Sequence, residues 1–351
     1  MALILADGFD TYAASADYVG SNRWDSDSGA TYFGTGSPFN GKYIQFDDDS
    51  DEIVKQFSGG TIGSSTIRIA FWFRGAAGVF DTQIIRLTAT SDGTLNWGIG
   101  INSNSQLYVT EFDDSSTTAL RTAKKEVDDG NWHHVEVRFT SGDSTAGAIE
   151  MWIDGKKYIS DTAMDTNVAT TAADFQNFDT INIRGRNLVT NGCEIDDLIV
   201  WDDQGTTFTG QLGQHRIETV YPNGDSAVAF TRSGGTTNYE NVDETTSDGD
   251  TSYVESSTTT HEDFYDFAAM TTSPTTIEGV IVSALIRNTD VGSKSMRLKS
   301  EQSASEGNGT THAIDHTGYD LYQEFFHQDP NSAVAWTTGG FATAAFGVEV
   351  M

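Results

Sequence analysis

The chain has 351 residues and a formal net charge of −31, which comes from 51 acidic and 20 basic side chains. This length exceeds what one hydrophobic core usually supports, so we expect about two domains. The acidic surface would repel phosphate backbones and anionic lipid head groups, which excludes nucleic acids from the expected partners and argues against membrane insertion.

The N-terminus and the cysteine content bear on where the chain folds. Cys193 is the single cysteine, so no intramolecular disulfide can form. The first seven residues are apolar for only a short stretch and carry no basic residue, which is not the pattern of a signal peptide. No run of about 18 apolar residues occurs. We therefore expect the chain to fold in a cytoplasm.

Short apolar runs follow one another along the first 200 residues, and they are rich in β-branched and aromatic side chains. Most of them alternate apolar with polar positions, which is the period of a strand with one wet face. Asp154-Gly155 between two such runs predicts a tight hairpin. No helix longer than two turns is predicted. The runs span residues 43–46, 66–74, 83–87, 95–101, 106–109, 132–139, 148–153, 157–159, 180–183 and 195–201.

The composition changes after Trp201. Residues 202–216 are polar without a clear strand, and residues 231–260 are polar enough to form either a long exposed loop or the start of a second domain. Strand-like runs resume at 277–287, 294–299, 319–326, 333–337 and 346–350. These runs predict an all-β chain of two domains, residues 1–204 and 205–351, the second a smaller β-sandwich for attachment or oligomerisation.

Three motifs in the first domain carry a resemblance to a known superfamily. Residues 129–139 contain Gly-x-Trp-His-x-Val, Asp154-Gly155 forms the predicted hairpin, and residues 194–202 contain Ile-Asp-Asp followed by apolar residues. Together they resemble the concanavalin A-like lectin/glucanase superfamily in its laminin-G and pentraxin style. This resemblance implies a jelly-roll β-sandwich over residues 1–204, with its first and last strands side by side.

A further resemblance joins the two ends of the chain. The opening Asp-Gly-Phe-Asp at residues 7–10 and the ending formed by residues 329–337 and 346–348 are similar to a family of tailed-phage virion structural proteins. The resemblance implies a surface-exposed protein of the particle, tail-associated or decorating the capsid. Its expected partners are other virion proteins, further copies of itself and host-surface glycans, and its expected location is the virion surface after folding in the host cytoplasm.

Catalysis is not expected. The glucanase branch of the superfamily uses a strand with Glu-x-Asp-x-(x)-Glu, whereas residues 194–197 here read Glu-Ile-Asp-Asp and lack the second glutamate. No Ser/His/Asp or Cys/His constellation stands out, and Cys193 is expected to be an inert small residue. Two alternatives remain open: a carbohydrate-binding adhesin module, and a degenerate glycan hydrolase or lyase.

The resemblance also implies a structural calcium ion that ties the first strand to the last. The candidate ligands are Asp7 or Asp10, the carbonyl of Gly41, and Asp196 or Asp197. The alternative is that these carboxylates only cap turns and strand ends. The other acidic clusters, residues 47–52 and 113–114, match no EF-hand spacing and are interpreted as solvated turns.

One tryptophan is a candidate sugar-binding residue. Most of the tryptophans lie in apolar strands, where packing in the core is the expected role. Trp97, in Asn96-Trp97-Gly98, lies on a strand that is predicted to line a concave face, and we expect its ring to stack on carbohydrate.

Overall fold

The structure is a computed structural model, and it is nearly all β, which confirms the predicted fold class. It describes residues 3–12, 23–28, 31–35, 41–48, 50–57, 66–75, 82–88, 96–113, 116–142, 144–166, 178–185, 192–203, 208–290, 292–315 and 317–351. The chain divides into two compact units, and the main division falls between Ile217 and Glu218. None of the described helices is long and apolar enough to cross a membrane.

The strands of the first unit are short and follow one another closely along the chain. In chain order they are β1 (Leu3–Asp7), β2 (Ser26–Ser28), β3 (Thr31–Thr35), β4 (Lys42–Phe46), β5 (Glu52–Gln56), β6 (Thr66–Gly75), β7 (Thr82–Thr88), β8 (Asn96–Ile101), β9 (Gln106–Asp113), β10 (Ser116–Glu126), β11 (His133–Thr140), β12 (Gly147–Ile153), β13 (Lys156–Met164), β14 (Thr180–Arg184) and β15 (Cys193–Trp201).

Among the described residues these strands form two antiparallel sheets. The eight-stranded sheet has the order β13-β12-β11-β6-β15-β4-β3, and β1 pairs with β15 beside this path. The seven-stranded sheet has the order β10-β9-β8-β7-β14-β5-β2. Asp7 at the end of β1 lies opposite Leu198 of β15, so the first and last strands are neighbours as predicted.

The core of the first unit lies between the two sheets. Alternate side chains of β6 and β11, such as Phe71 and Val137, point inward from the eight-stranded sheet, and Ile85 and Val109 point inward from the seven-stranded sheet. The predicted hairpin joins β12 to β13. Asp154 and Gly155 both have positive φ, 54° and 78°, as a type I′ turn requires.

The second unit is a smaller arrangement of antiparallel strands. Its elements are β16 (Pro222–Val228), β17 (Thr231–Arg232), β18 (Val254–Glu255), β19 (Glu262–Phe267), β20 (Val280–Ile286), β21 (Lys294–Gln302), β22 (Ser305–Ile314), β23 (Asp320–Phe326), the short helix α1 (Thr338–Phe341) and β24 (Ala344–Val350). The five-stranded sheet β16-β19-β24-β21-β22 and the two-stranded sheet β20-β23 enclose a core that contains Leu298, Trp336 and Phe346.

The polar segment 231–260 belongs to this second unit. It is therefore part of the second domain and not only a long exposed loop. It contains β17 and β18, which pair with each other, and a single 3₁₀ turn. The buried carboxylate of Asp263 accepts hydrogen bonds from the backbone N–H groups of Ala229 and Phe230 and from the Asn238 side chain. Buried acceptors therefore anchor the start of a segment that has few apolar residues of its own.

Residues 208–217, which we call the strap, lie over the outer face of the eight-stranded sheet. Trp72 Nε1 donates to the carbonyl of His215 at 2.8 Å, and Nε2 of His134 lies 3.0 Å from Nδ1 of His215. The first unit therefore extends to Ile217, later than the expected boundary after residue 204. The strap thus covers the outward side chains of Trp72, His134 and Glu136, whereas Arg74 and Arg138 stay partly exposed.

Glu136 makes the central contact under the strap. Its carboxylate is fully buried and accepts from the backbone N–H groups of Leu212 at 3.3 Å and Gly213 at 3.1 Å. The guanidinium of Arg68 lies 3.4 Å away and pairs also with Asp203. Burial raises the pKa of Glu136 to about 7, although these donors oppose the shift.

We expect Glu136→Ala to lower the free energy of unfolding by about 2–4 kcal/mol, because it leaves two part-buried N–H groups and a buried guanidinium without this acceptor. Urea unfolding of the full chain measures the loss. Asp161→Ala is the control, since it removes only the exposed ion pair with Arg121, which should matter by less than about 1 kcal/mol. Equal shifts of the two midpoints would contradict the role of Glu136.

Candidate functional site

The predicted calcium ligands lie around the junction of β1 and β15. Asp7 is the last residue of β1, and Asp196 and Asp197 lie in β15 where its pairing with β6 is interrupted between Asp196 and Ile199. Asp197 has a φ of 50°, in the left-handed region that Asp tolerates better than most residues. The irregularity therefore changes the direction of the chain where the carboxylates meet.

Asp7 is already fully engaged by protein donors. Its carboxylate accepts from the backbone N–H of Phe9, the hydroxyl of Tyr12 and the indole N–H of Trp24, at 2.8, 2.6 and 3.0 Å. Nε of Arg23 lies 2.9 Å from the same carboxylate, which is 1% exposed. Protein donors, among them a guanidinium, therefore surround the Asp7 carboxylate, and its role as a calcium ligand stays a prediction.

Asp10, Gly41 and Asp197 fit the prediction better. Asp10 Oδ1 accepts from the backbone N–H of Lys42 at 2.9 Å, which brings the Gly41–Lys42 peptide beside Asp10. Asp197 Oδ1 accepts from the N–H of Ile217 at 2.9 Å. Burial, together with repulsion from Asp10 and Asp7, raises the pKa of Asp197 to about 8. The structure thus brings two carboxylates close enough to repel each other.

Asp196 is used differently. Its Oδ1 accepts from the backbone N–H of Asp197 at 2.8 Å, and the residue is 3% exposed. Among the described residues, no group of three or more His, Cys, Asp or Glu side chains is arranged to hold a metal ion. The five predicted ligands therefore do not form one cage. We propose that a calcium ion, if held here, takes oxygens from Asp10, Asp197 and the Gly41 carbonyl.

Among the other acidic residues named from the sequence, Asp51 stabilises a turn. Asp51 Oδ2 accepts from the backbone N–H groups of Asp47 and Asp48, at 2.9 and 3.1 Å, and so closes the turn between β4 and β5. Asp49 and Asp114 lie outside the described residues. Cys193 is buried, and burial raises the pKa of its thiol to about 12, so the thiol stays protonated at neutral pH.

Trp97 does not face outward, so the prediction that it stacks on sugar is wrong in this structure. Its side chain is 1% exposed, and its ring centroid lies 4.1 Å from that of Phe139 in the opposite sheet. The strand itself does belong to the seven-stranded sheet. The residue is on the expected strand but on its inner face.

The inward position of Trp97 places glycines on the outer face of β8. Trp97, Ile99 and Ile101 fill the core, so Gly98 and Gly100 lie on the opposite face. The sheet therefore has a floor without side chains along its central strand. We call this floor and the outward residues beside it the glycine trough.

Polar side chains border the glycine trough on both sides. On β9, Thr110 pairs with Gly98 and Tyr108 pairs with Gly100. On β7, Arg86 pairs with Gly98 and Gln83 with Gly100. A floor of two buried glycines therefore lies between Thr110 and Tyr108, which are 0% and 7% exposed, and a wall in which Gln83 is 6% exposed and Arg86 is half-buried.

The wall that contains Arg86 continues onto β14. Asn182 pairs with Arg86, and its Nδ2 donates to Glu52 Oε1 at 2.8 Å. Arg184, two residues further along β14, hydrogen-bonds Gln83 through its guanidinium. Two arginines thus share this face of a chain whose net charge is −31. Our reading of the sequence missed both, although the alternation Trp-Gly-Ile-Gly-Ile at 97–101 could have revealed the trough.

No protein-family model matches the chain, and no curated protein matches it. In its described residues, the first unit is a β-sandwich of two antiparallel sheets.

Three solved structures illustrate the likeness. Endo-β-1,4-glucuronan lyase from the fungus Trichoderma reesei is 17% identical, with 51% of this chain and 91% of that chain covered and a TM-score of 0.37. Alginate lyase Aly36B is 12% identical, with 61% and 98% covered and a TM-score of 0.38. The SAP-like pentraxin from Limulus polyphemus is 17% identical, with 51% and 77% covered and a TM-score of 0.32. At these identities the likeness concerns the fold alone.

The raised pKa of Asp197 generates a prediction about pH and calcium. Because its folded-state pKa lies near 8, above the ordinary 3.8, the proton stabilises the fold below about pH 4, and this stability is lost as pH rises through 8. In EDTA, we expect Asp197→Asn to be more stable than the unmodified chain at pH 9, by about 1–3 kcal/mol, and not at pH 4. Calcium at pH 9 should restore stability to the unmodified chain only.

Thermal and urea unfolding at both pH values measure these differences, and Asp161→Asn, an exposed carboxylate, is the matched control. If the unmodified chain and Asp197→Asn share one pH profile, the buried carboxylate is not the cause. If EDTA and calcium give the same melting temperature in the unmodified chain, no calcium site exists here.

Proposed function

We propose that this chain is a non-catalytic structural protein on the surface of a tailed-bacteriophage particle, and that its glycine trough binds acidic glycans of the host surface. The observation that carries the glycan part is the pair Arg86 and Arg184 beside the floor formed by Gly98 and Gly100. The particle part is supported by the resemblance of both chain ends and by the highly acidic composition.

A carboxylate-bearing sugar suits the trough. A guanidinium can donate two parallel hydrogen bonds to a carboxylate, so it both attracts and orients the ligand. The glycine floor adds no side chain that would block a sugar ring. The half-buried Arg86 is the side chain that a ligand reaches, since Thr110 is fully buried and its hydroxyl donates to the Glu111 carbonyl. The net charge of −31 repels an anionic glycan from most of the protein surface. The face that carries two arginines is therefore where such a glycan can approach.

The absence of histidine from the trough supports a binding role. The histidines of the first unit are His133 and His134, on the eight-stranded sheet, and His215, in the strap. Glu111 is 3% exposed and lies opposite the inward-facing Trp97, so its carboxylate does not serve the trough. Glu52 accepts the hydrogen bond from Asn182. The described trough residues thus lack the two carboxylates of a glycosidase.

We expect the unmodified chain to bind polygalacturonate or alginate and not neutral dextran, and to bind more weakly as salt rises. Arg86→Gln and Arg184→Gln should each weaken binding about tenfold or more, because each removes a charge-assisted hydrogen bond. Affinity electrophoresis and calorimetry measure the loss. The control is Arg121→Gln, an arginine of β10 that is paired with Asp161.

Equal binding of dextran, or no response to either trough substitution, would remove the glycan assignment. Release of unsaturated uronate products, detected by their ultraviolet absorbance, would make the protein a lyase and overturn the non-catalytic role. If the chain binds these glycans but is not part of a phage particle, the result would favour the alternative of a free carbohydrate-binding adhesin.

We expect antibodies against the chain to label the surface of intact phage particles at regular positions in electron micrographs. The expectation follows from the acidic, water-compatible exterior and from the proposed contact with host glycans. Particles that lack the gene product serve as the control. Labelling that appears only in cell lysate, and never on purified particles, would contradict the structural role.

A further inference from the structure

The two-stranded sheet of the second unit has two faces of different character. Val280, Val282, Ala284 and Ile286 of β20 belong to or pack against the core. The alternate positions therefore point away from it. We call the outward set the β20–β23 face; it consists of Ile281, Ser283, Leu285, Leu321, Gln323 and Phe325.

The β20–β23 face is built of three cross-strand rows. Ile281 pairs with Phe325 in the first row and Leu285 with Leu321 in the third. Between them, Gln323 Nε2 donates to the hydroxyl of Ser283 at 2.9 Å. The pattern along the face is therefore apolar, polar, apolar, and it reads the same from either end.

None of the six side chains on this face is charged, which is unlike the other outer face of the same unit. There, Lys299 of β21 pairs with Glu262 of β19, Glu306 of β22 and Glu349 of β24. Arg297 adds a second ion pair with Glu349. One side of the unit thus carries a ladder of charges, while the other presents apolar rows and a neutral polar row.

Polar groups close the β20–β23 face at one end. Arg287 pairs with Asp250 at 2.7 Å, and its guanidinium lies 4.9 Å from the ring of Tyr319. Tyr319 also donates to Asp250 at 2.7 Å. At the other end, the ring of Phe325 lies 4.1 Å from that of His327. Polar groups therefore border the outer apolar rows at both ends, as a polar rim borders a protein interface.

We propose that the β20–β23 face is a self-association interface whose occupant is a second copy of this chain. Two copies with a net charge of −31 repel each other, so they can meet closely only where neither presents charge. A two-fold axis through the Ser283 and Gln323 row places apolar rows on apolar rows and the polar row on itself. Such self-complementarity is what an isologous contact requires. The interface is independent of the glycine trough.

Sedimentation equilibrium of the full chain across a range of protein and salt concentrations tests the interface. We expect the unmodified chain to associate, more tightly as salt screens the overall repulsion. Leu285→Glu should weaken the association at least a hundredfold, because it buries a carboxylate against an apolar row of the second copy. Val334→Glu is the matched control, since Val334 is 58% exposed in the same unit and lies off this face.

Ser283→Asp is a second variant, which tests the same interface in case Leu285→Glu does not fold. Ser283 is exposed, so an aspartate there leaves the core of the unit intact, yet it brings like charges together at the two-fold axis. Dissociation in both variants, with unchanged melting temperature in Ser283→Asp, supports the interface. A chain that is monomeric at every concentration overturns it, as does an oligomer that Ser283→Asp leaves intact.

Discussion

The two faces of every strand must each be satisfied, and the rest of the structure depends on how each sheet meets this requirement. Both sheets of the first unit bury one face in the shared core. The eight-stranded sheet also covers polar positions of its outer face with the strap, which donates backbone N–H groups to Glu136. The seven-stranded sheet instead carries glycines on its outer face, and so leaves a trough. The two sheets therefore meet one constraint in different ways, one by covering outward side chains and the other by omitting them.

In this acidic chain, individual buried carboxylates are compensated by groups in their immediate neighbourhood. Buried carboxylates receive cations or several donors, as Asp7 does from Arg23 and as Glu136 does from Arg68. Asp197 differs, because the N–H of Ile217 and the charge of Arg216 do not offset its burial and its acidic neighbours, and its pKa is raised as a result. An uncompensated buried carboxylate is stabilised either by a proton or by a cation. This choice, more than the number of acidic residues, is the physical reason to consider calcium there.

The sequence predicted the strands, the hairpin and the neighbouring first and last strands, because alternation and turn chemistry are local properties. Alternation assigns residues to a shared face but does not say which face points inward, and so Trp97 was placed on the wrong side. The role of Asp7 depends on Trp24 and Arg23, whose approach no local pattern encodes. The strap escaped prediction for a similar reason, since it binds through backbone groups that every sequence possesses.

The surfaces that could bind partners differ from the average surface in opposite ways. The glycine trough gathers positive charge in Arg86 and Arg184, whereas the β20–β23 face of the second unit carries no charge at all. In a neutral protein neither feature would discriminate strongly between partners. With a net charge of −31, a close approach by any anionic ligand or by a second copy costs electrostatic energy almost everywhere else. In the proposed roles, the acidic background would therefore select where contacts form, although it would make none itself.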